Sequence, residues 1–426
     1  MTLHEELVWR GLVNQMTHEE LPAILEREPL TVYCGFDPTA ESLHIGSLLP
    51  ILALIRFQQR GHRPIALVGG ATGMIGDPSG KTEERAQQTL EQVERNVAGV
   101  RAQLEHFLDC SGPNAVRIVN NADWLGQIGL LDFLRDMGKH FSVNVMIARE
   151  SVRARLSDRE HGISYTEFSY QLLQAYDFLH LYDTFECRMQ IGGSDQWGNI
   201  TAGMDLTRRL RPGATTFGMT FPLVTKADGS KFGKTEAGTI WLDPKRTSPY
   251  RYYQFWLNQS DADAPRFLRY FTFLSPETIA ELEAELAAAP EKRIAQRRLA
   301  EEVTRMTHGE TALANAQRAT EAMFGGTLTG LDDATLEDIF SEVPSSEVPR
   351  SALSGDRLLL DVLVEAGVFP SKGEARRMVK SGGLYLNNER VASDDIALTE
   401  QCLCSNSLAV IRKGKKNYHL LRFIDG

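Results

Sequence analysis

Thr31-Val32-Tyr33-Cys34-Gly35-Phe36, then Asp37-Pro38-Thr39, then His44-Ile45-Gly46-Ser47 opening onto Leu48-Leu49-Pro50-Ile51-Leu52-Ala53-Leu54-Ile55, is the stretch that decides the fold. A short run rich in β-branched and aromatic side chains reads as a strand, and apolar residues at three- and four-residue spacing from Leu48 to Gln59 read as a helix. The pair recurs downstream. Pro64-Ile65-Ala66-Leu67-Val68 precedes a helical-period stretch from Thr82 to Leu108, and Val116-Arg117-Ile118-Val119 follows it. Strand and helix in alternation imply an α/β chain with a doubly wound, Rossmann-like parallel sheet. Such sheets take ligands at the carboxyl ends of their strands, where loops lead into helices.

Outward from this core, residues 1–247 are expected to form the catalytic domain. Residues 248–325 read as a helical domain, with apolar residues at helical spacing. Gly325-Gly326, Pro344-Ser345-Ser346, Pro349 and many acids mark 326–355 as a linker. Residues 356–426 form a small third unit, and there the charge changes sign. That segment carries 11 Lys and Arg against 9 Asp and Glu, whereas the preceding 355 residues carry 35 against 47. A different partner for the tail is implied.

With 426 residues, two or three domains are expected, and a net charge of −10 leaves no global basic field to draw the chain to nucleic acid or membrane. Any RNA contact must come from local patches. The start, Met1-Thr2-Leu3-His4-Glu5-Glu6, lacks the marks of a secretion signal, and the run from Leu48 to Ile55 is far short of the ~20 residues that span a bilayer. Five scattered cysteines (Cys34, Cys110, Cys187, Cys402, Cys404) fit a reducing compartment, so a cytoplasmic enzyme is expected. Cys402-x-Cys404 has no second ligand pair at zinc spacing, and no structural metal is expected.

Four loops carry chemistry. At the His44-Ile45-Gly46-Ser47 helix start, unpaired N–H groups and a partial positive charge can seat phosphate, with Thr39 and His44 as further donors. A His there also serves simply as a cap. Gly46 removes a side chain where a flat base or ribose could approach. The second loop, Gly69 to Thr82, ends in Gly80-Lys81-Thr82, but the phosphate-loop pattern requires glycine where Ile75 stands. Lys81 and Arg85 still place two cations on one helical face. The third, Gly192-Gly193-Ser194-Asp195-Gln196, offers close backbone approach beside an acid suited to ribose hydroxyls. The fourth, Lys231-Phe232-Gly233-Lys234-Thr235, sets two lysines and a hydroxyl on a turn-rich loop.

In their order and separation these segments resemble the class I aminoacyl-tRNA synthetases, specifically the bacterial tyrosyl family. His44-Ile45-Gly46-Ser47 matches the first family motif, and Lys231 to Thr235 the tyrosyl variant of the second. Tyr33 to Thr39, Phe168 to Asp177 and Gln190 to Asn199 are also similar to that family. One departure stands out: the first motif usually ends in a second His, and Ser47 replaces it here. The resemblance assigns that position to the ATP ribose, which a serine reaches with a shorter arm.

The resemblance implies activation of tyrosine by ATP, with Mg2+ accompanying the nucleotide, and transfer to tRNA(Tyr). It assigns Thr39, His44, Lys81, Arg85, Lys231, Lys234 and Thr235 to the phosphates, and Asp37, Gly46, Ser47, Gly193 and Asp195 to the rest of ATP. Tyr33 and Asp177 take the phenolic hydroxyl; Asp77, Tyr170 and Gln174 the ammonium group; Gln196 the carboxylate. An amino-acid carboxyl is already ionised at neutral pH, so positioning and charge compensation are needed rather than a general base. In the tail, Lys372, Arg376, Arg377 and Lys380 would decorate one face of a helix, followed by a hairpin turning at Asn387-Asn388. This arrangement resembles an S4-type RNA-binding domain. Lys292, Arg293, Arg297 and Arg298 form a second basic group. Gly138 to Asn144 is similar to the family's dimer region, which implies a homodimer. A tryptophanyl-type synthetase and a catalytically silent RNA-binding relative are the competing readings.

Overall fold

The computed structural model describes the chain apart from residues 80–87, 150–151, 154–155, 157–161, 230–231, 236–237, 324–325, 329, 342, 415–416 and 426, and apart from the side chains of 234 and 235. Its central sheet is built from β1 (Gln15–Met16), β2 (Thr31–Phe36), β3 (Arg63–Val68), β4 (Arg117–Asn120), β5 (Cys187–Gly193) and β6 (Phe217–Phe221). Their spatial order is β1-β6-β5-β2-β3-β4. Strands β2 to β6 are parallel, and β1 alone runs antiparallel, on β6. Helices Leu48–Gln59, Leu90–Phe107, Tyr165–Phe185 and Trp197–Leu210 supply the crossovers. The winding reverses between β5 and β2, which is where an open α/β sheet forms its ligand crevice.

The expected β2 and the helix 48–59 are found with the boundaries read from the sequence; β3 begins one residue earlier than read, and β4 is shifted by one residue at both ends. Arg56, which interrupts the apolar run, is buried rather than exposed. Its guanidinium donates to Thr272 O (2.8 Å), covers the Phe273 ring at 4.8 Å and lies 3.7 Å from Glu6. Burial pulls its pKa down to about 9, so it stays charged at neutral pH.

Two compact units divide the chain: Met1–Arg246 with Ser260–Ala295, and Thr247–Gln259 with Gln296–Gly426. The helical segment expected as one domain therefore contributes to both. It contains helices Pro249–Leu257, Ala264–Phe271, Pro276–Ala288 and Ile294–Met323, the last kinked at Gly309 (φ 83°).

The expected linker, 326–355, is not one. It holds helix Asp333–Ile339 and strand Ser345–Pro349, which pairs in parallel with Asn417–Ile424. Its acids misled the reading because they serve folded structure. Asp332 caps the helix and Asp333 accepts from the Ser407 hydroxyl (2.8 Å), while Leu336 and Phe340 pack on Leu408, Val410 and Leu420.

The tail sheet has five strands, and the Leu384–Leu386/Glu389–Arg390 hairpin turns at Asn387 (φ 52°) and Asn388 (φ 65°). Two left-handed residues in succession are what a tight primed turn requires, and asparagine tolerates that region. Cys402 and Cys404 are buried, unpaired core residues.

Candidate active site

Tyr33 lies in the middle of β2, 1% exposed, edge-on to Phe178 at 5.2 Å. Its hydroxyl is buried and has no hydrogen-bond partner among the described residues. Burial, with the Asp177 carboxylate nearby, raises its pKa well above the ordinary tyrosine value, so the group is a neutral donor. Tyr170, Gln174 and Asp177 project from one face of helix Tyr165–Phe185, as their four- and three-residue spacing requires, and all three are buried.

Asp177 is 2% exposed. The Trp124 indole N–H donates to its Oδ1 (2.8 Å) and the Asn121 amide to its Oδ2 (3.0 Å). Burial pushes its pKa up to about 7; the two hydrogen bonds pull it back, and the Asp37 carboxylate adds to the rise.

From Asp177 a chain of side chains runs across the strand ends. Asn121 donates to the Thr72 hydroxyl (3.0 Å), and Thr72 donates to Asp37 Oδ1 (2.9 Å). Tyr170 donates its phenolic proton to Asp37 Oδ2 (3.0 Å). Gly69 makes room for this link: a Cβ there would stand 2.2 Å from Asp37 Oδ1 and 2.4 Å from Thr72 Oγ1. Asp37, assigned to ATP by the resemblance, is thus joined to residues assigned to tyrosine. Burial, then the acids Asp37 and Asp77, raise the Tyr170 pKa well above its usual value.

Gln196 is the second hub. Its Nε2 donates to Asp77 Oδ2 (2.6 Å) and to Asp195 Oδ2 (3.0 Å). Its Oε1 accepts from Gln174 (3.2 Å) and Asn199 (3.2 Å). One amide therefore bridges an acid assigned to tyrosine and an acid assigned to ATP. Gly193, which ends β5, has no space for a side chain, since a Cβ would meet Asp195 Oδ1 at 2.4 Å.

The loop after β2 carries Thr39, exposed, whose N–H donates to Asp37 O (2.9 Å). His44 is exposed and caps the turn Ile45–Ser47, its Nδ1 accepting from the Gly46 N–H at 3.0 Å. A ring nitrogen that accepts has no proton, so in the neutral ring Nε2 carries it and is the donor nitrogen. Ser47 leads directly into the Leu48–Gln59 helix without a side-chain cap bond. Lys234 and Thr235 form a short strand with Gly238–Thr239, and their side chains lie outside the description, as do Lys81, Arg85 and Lys231 altogether.

Residues missed from the sequence are Asn121, Trp124, Thr72 and Gln190. The first two follow β4, whose carboxyl end was a place to search. Gln190 is the β5 register partner of Tyr33, buried, with an amide oxygen that has no partner among the described residues. In the second unit, Lys372, Arg376, Arg377 and Lys380 are all exposed on helix Lys372–Lys380, whose other face buries Ala375 and Val379. Lys372 pairs with Asp361 (2.7 Å) and Arg376 with Asp394 (3.0 Å).

The sequence matches the family "tRNA synthetases class I (W and Y)" over residues 25–325 and "Tyrosine--tRNA ligase SYY-like C-terminal domain" over 335–421. It is 54% identical to a tyrosine–tRNA ligase of Roseiflexus castenholzii and 56% identical to one of Geobacillus kaustophilus, each match covering 99% of this chain and 100% of the relative. Among solved structures, a C-terminally truncated mitochondrial tyrosyl-tRNA synthetase of Coccidioides posadasii matches with TM-score 0.65 and 32% identity, over 74% of this chain and 91% of its own. A tryptophanyl-tRNA synthetase of Encephalitozoon cuniculi matches with TM-score 0.53 at 13% identity, over 73% and 86%, a likeness of fold alone. Full-length identity above one half to tyrosine–tRNA ligases, on this sheet and with these loops at its strand ends, places the chain in the bacterial tyrosyl family of class I aminoacyl-tRNA synthetases.

Proposed function

We propose the following division of labour for the tyrosine–tRNA ligase reaction that family membership assigns to this chain. The tyrosine carboxylate attacks the α-phosphorus of ATP and pyrophosphate leaves; the 3′-terminal ribose hydroxyl of tRNA(Tyr) then attacks the adenylate carbonyl and AMP leaves. Tyr33 and Asp177 hold the phenol, Asp77, Tyr170 and Gln174 the ammonium group, and Gln196 the carboxylate. Asp37 acts through Tyr170, whose hydroxyl it fixes. Thr39 and His44, with Lys81, Arg85, Lys231, Lys234 and Thr235, compensate charge on the departing pyrophosphate, and Mg2+ enters with ATP as part of that substrate. Gly46, Ser47, Gly193 and Asp195 take the adenosine. Cations on separate loops favour the transition state over bound ATP, which raises the rate rather than ground-state affinity.

One observation carries the tyrosine assignment: the Tyr33 hydroxyl is buried, has no hydrogen-bond partner among the described residues, and lies close enough to the Asp177 carboxylate to feel its charge. A phenol offers both a proton and lone pairs to such a pair, and phenylalanine would leave them unpaired. Amino-acid-dependent ATP–pyrophosphate exchange tests this, with tyrosine active and tryptophan silent as the expected result. Tyr33→Phe is expected to retain activation and to lower the preference for tyrosine over phenylalanine roughly tenfold, the value of one buried hydrogen bond. An unchanged preference would refute the assignment.

Lys372, Arg376, Arg377 and Lys380 are proposed to meet tRNA phosphates, with Lys292, Arg293, Arg297 and Arg298 as a second group. Action in the cytoplasm accords with five free cysteines, three of which (Cys34, Cys187, Cys404) have thiol pKa values pushed up to about 12 by burial. No helix among the described residues is long and apolar enough to cross a membrane. A homodimer is proposed through the segment that exposes Leu130 (71%), Leu131 (80%), Val143 (55%) and Val145 (58%), apolar side chains that a partner subunit would cover. Leu131→Glu should halve the mass seen in sedimentation equilibrium; an unchanged mass would exclude this surface.

A further inference from the structure

His44 is exposed, yet a phosphate donor must present one ring nitrogen in one direction. An exposed histidine normally samples several rotamers, so the restraint must come from its neighbours. Two among the described residues supply it. Gly46 lies against the ring, where a Cβ would stand 2.7 Å from Cε1 and 2.9 Å from Nδ1, and its N–H fixes Nδ1 as an acceptor. The other is Trp241, from the segment that follows the second signature loop.

His44 and Trp241 face each other across an isolated antiparallel bridge. Ile45 N–H donates to Ile240 O (3.1 Å) and Leu242 N–H to Leu43 O (2.9 Å). These bonds flank the pair, which makes it the non-hydrogen-bonded type that brings side chains closest. The two rings meet edge to face, with centroids 6.5 Å apart and planes at 67°. The indole is itself restrained, since the Arg246 guanidinium lies over its ring, 3.8 Å from the centroid. Ile240 N–H in turn donates to Gly233 O (3.1 Å), so one short segment is hydrogen-bonded to both signature motifs.

We propose that Trp241 is a positioning residue for tyrosine activation: it holds the His44 imidazole in the rotamer and tautomer that make Nε2–H the donor to the phosphates. This rests on the reading of His44 as a phosphate donor. Trp241 touches no substrate atom; its contribution passes through His44 and is felt in the step that expels pyrophosphate, not in tyrosine binding.

Single-turnover adenylate formation and equilibrium tyrosine binding, measured on the full-length enzyme, test it in Trp241→Leu, Trp241→Phe, His44→Ala and the double Trp241→Leu/His44→Ala. Trp241→Leu should slow adenylate formation about tenfold or more, as expected when a catalytic group loses its orientation, with tyrosine affinity unchanged within about twofold. Trp241→Phe, which keeps an aromatic edge, should recover most of the rate. In the double variant the Leu substitution should add little to the loss from His44→Ala, because both remove the same interaction. Losses that multiply, or tyrosine binding that weakens as much as the rate falls, would overturn the inference while leaving His44 its role. A His44→Ala enzyme as fast as the parent would remove that role and the inference with it.

Discussion

Asp177→Asn should lower kcat/KM for tyrosine in pyrophosphate exchange by roughly 10²–10³-fold and, at the same time, change how stability depends on pH. The kinetic loss combines a charge-assisted bond to the phenol with one newly unpaired donor, since asparagine offers a single acceptor to Asn121 and Trp124. The stability effect follows from burial. The carboxyl titrates near 7 in the folded protein and near 4 when unfolded, so between those values the folded state holds a proton that the unfolded state has lost. Asp177 therefore destabilises the free enzyme progressively as pH rises from about 4 to about 7, and by a constant amount above that. An asparagine does not titrate. The variant should gain roughly 2–3 kcal/mol relative to the parent between pH 5 and pH 8. Urea denaturation at the two pH values reads this directly, and parallel pH profiles for the two proteins would show that Asp177 is ionised as easily as an exposed acid.

Replacing Lys372, Arg376, Arg377 and Lys380 together by glutamine should lower kcat/KM for tRNA charging about a hundredfold, while pyrophosphate exchange stays within about twofold of the parent. Each phosphate contact releases condensed counterions, so the log–log salt dependence of tRNA affinity should flatten by about 3–4. Lys372 and Arg376 already have carboxylate partners at 2.7 and 3.0 Å, and these exposed pairs are worth little, so exchanging them for phosphate costs little. The helix itself should persist, because Ala375 and Val379 on its buried face are untouched. A salt slope identical to the parent's would move the RNA contact to another surface, with the group around Arg297 the next to test.

The legible parts were those governed by local periodicity or by a short motif. The β2 strand, the 48–59 helix and the Asn387-Asn388 hairpin follow from residue type and spacing within a dozen positions. Tyr170, Gln174 and Asp177 could be set on one face because 3.6 residues make a turn. The acids of 326–355 were misread because a charge in sequence says nothing about its partner, and that of Asp333, Ser407, lies far along the chain.

By itself, the amino-acid order determined the alternation of strand and helix, hence the parallel sheet and the strand ends at which chemistry must occur, because backbone geometry is a local property. It also determined which loops carry cations, acids and glycines. Tertiary structure alone decided how those groups speak to one another. The chain from Trp124 through Asp177, Asn121 and Thr72 to Asp37 and Tyr170 joins side chains from four segments. The Asp177 carboxyl rises to about 7 only because folding removes water from around it. His44 meets Trp241 only because two distant segments pair as strands. Spacing along a chain cannot encode dielectric or long-range register; those arise when apolar burial closes the core around a few polar groups that must then satisfy one another.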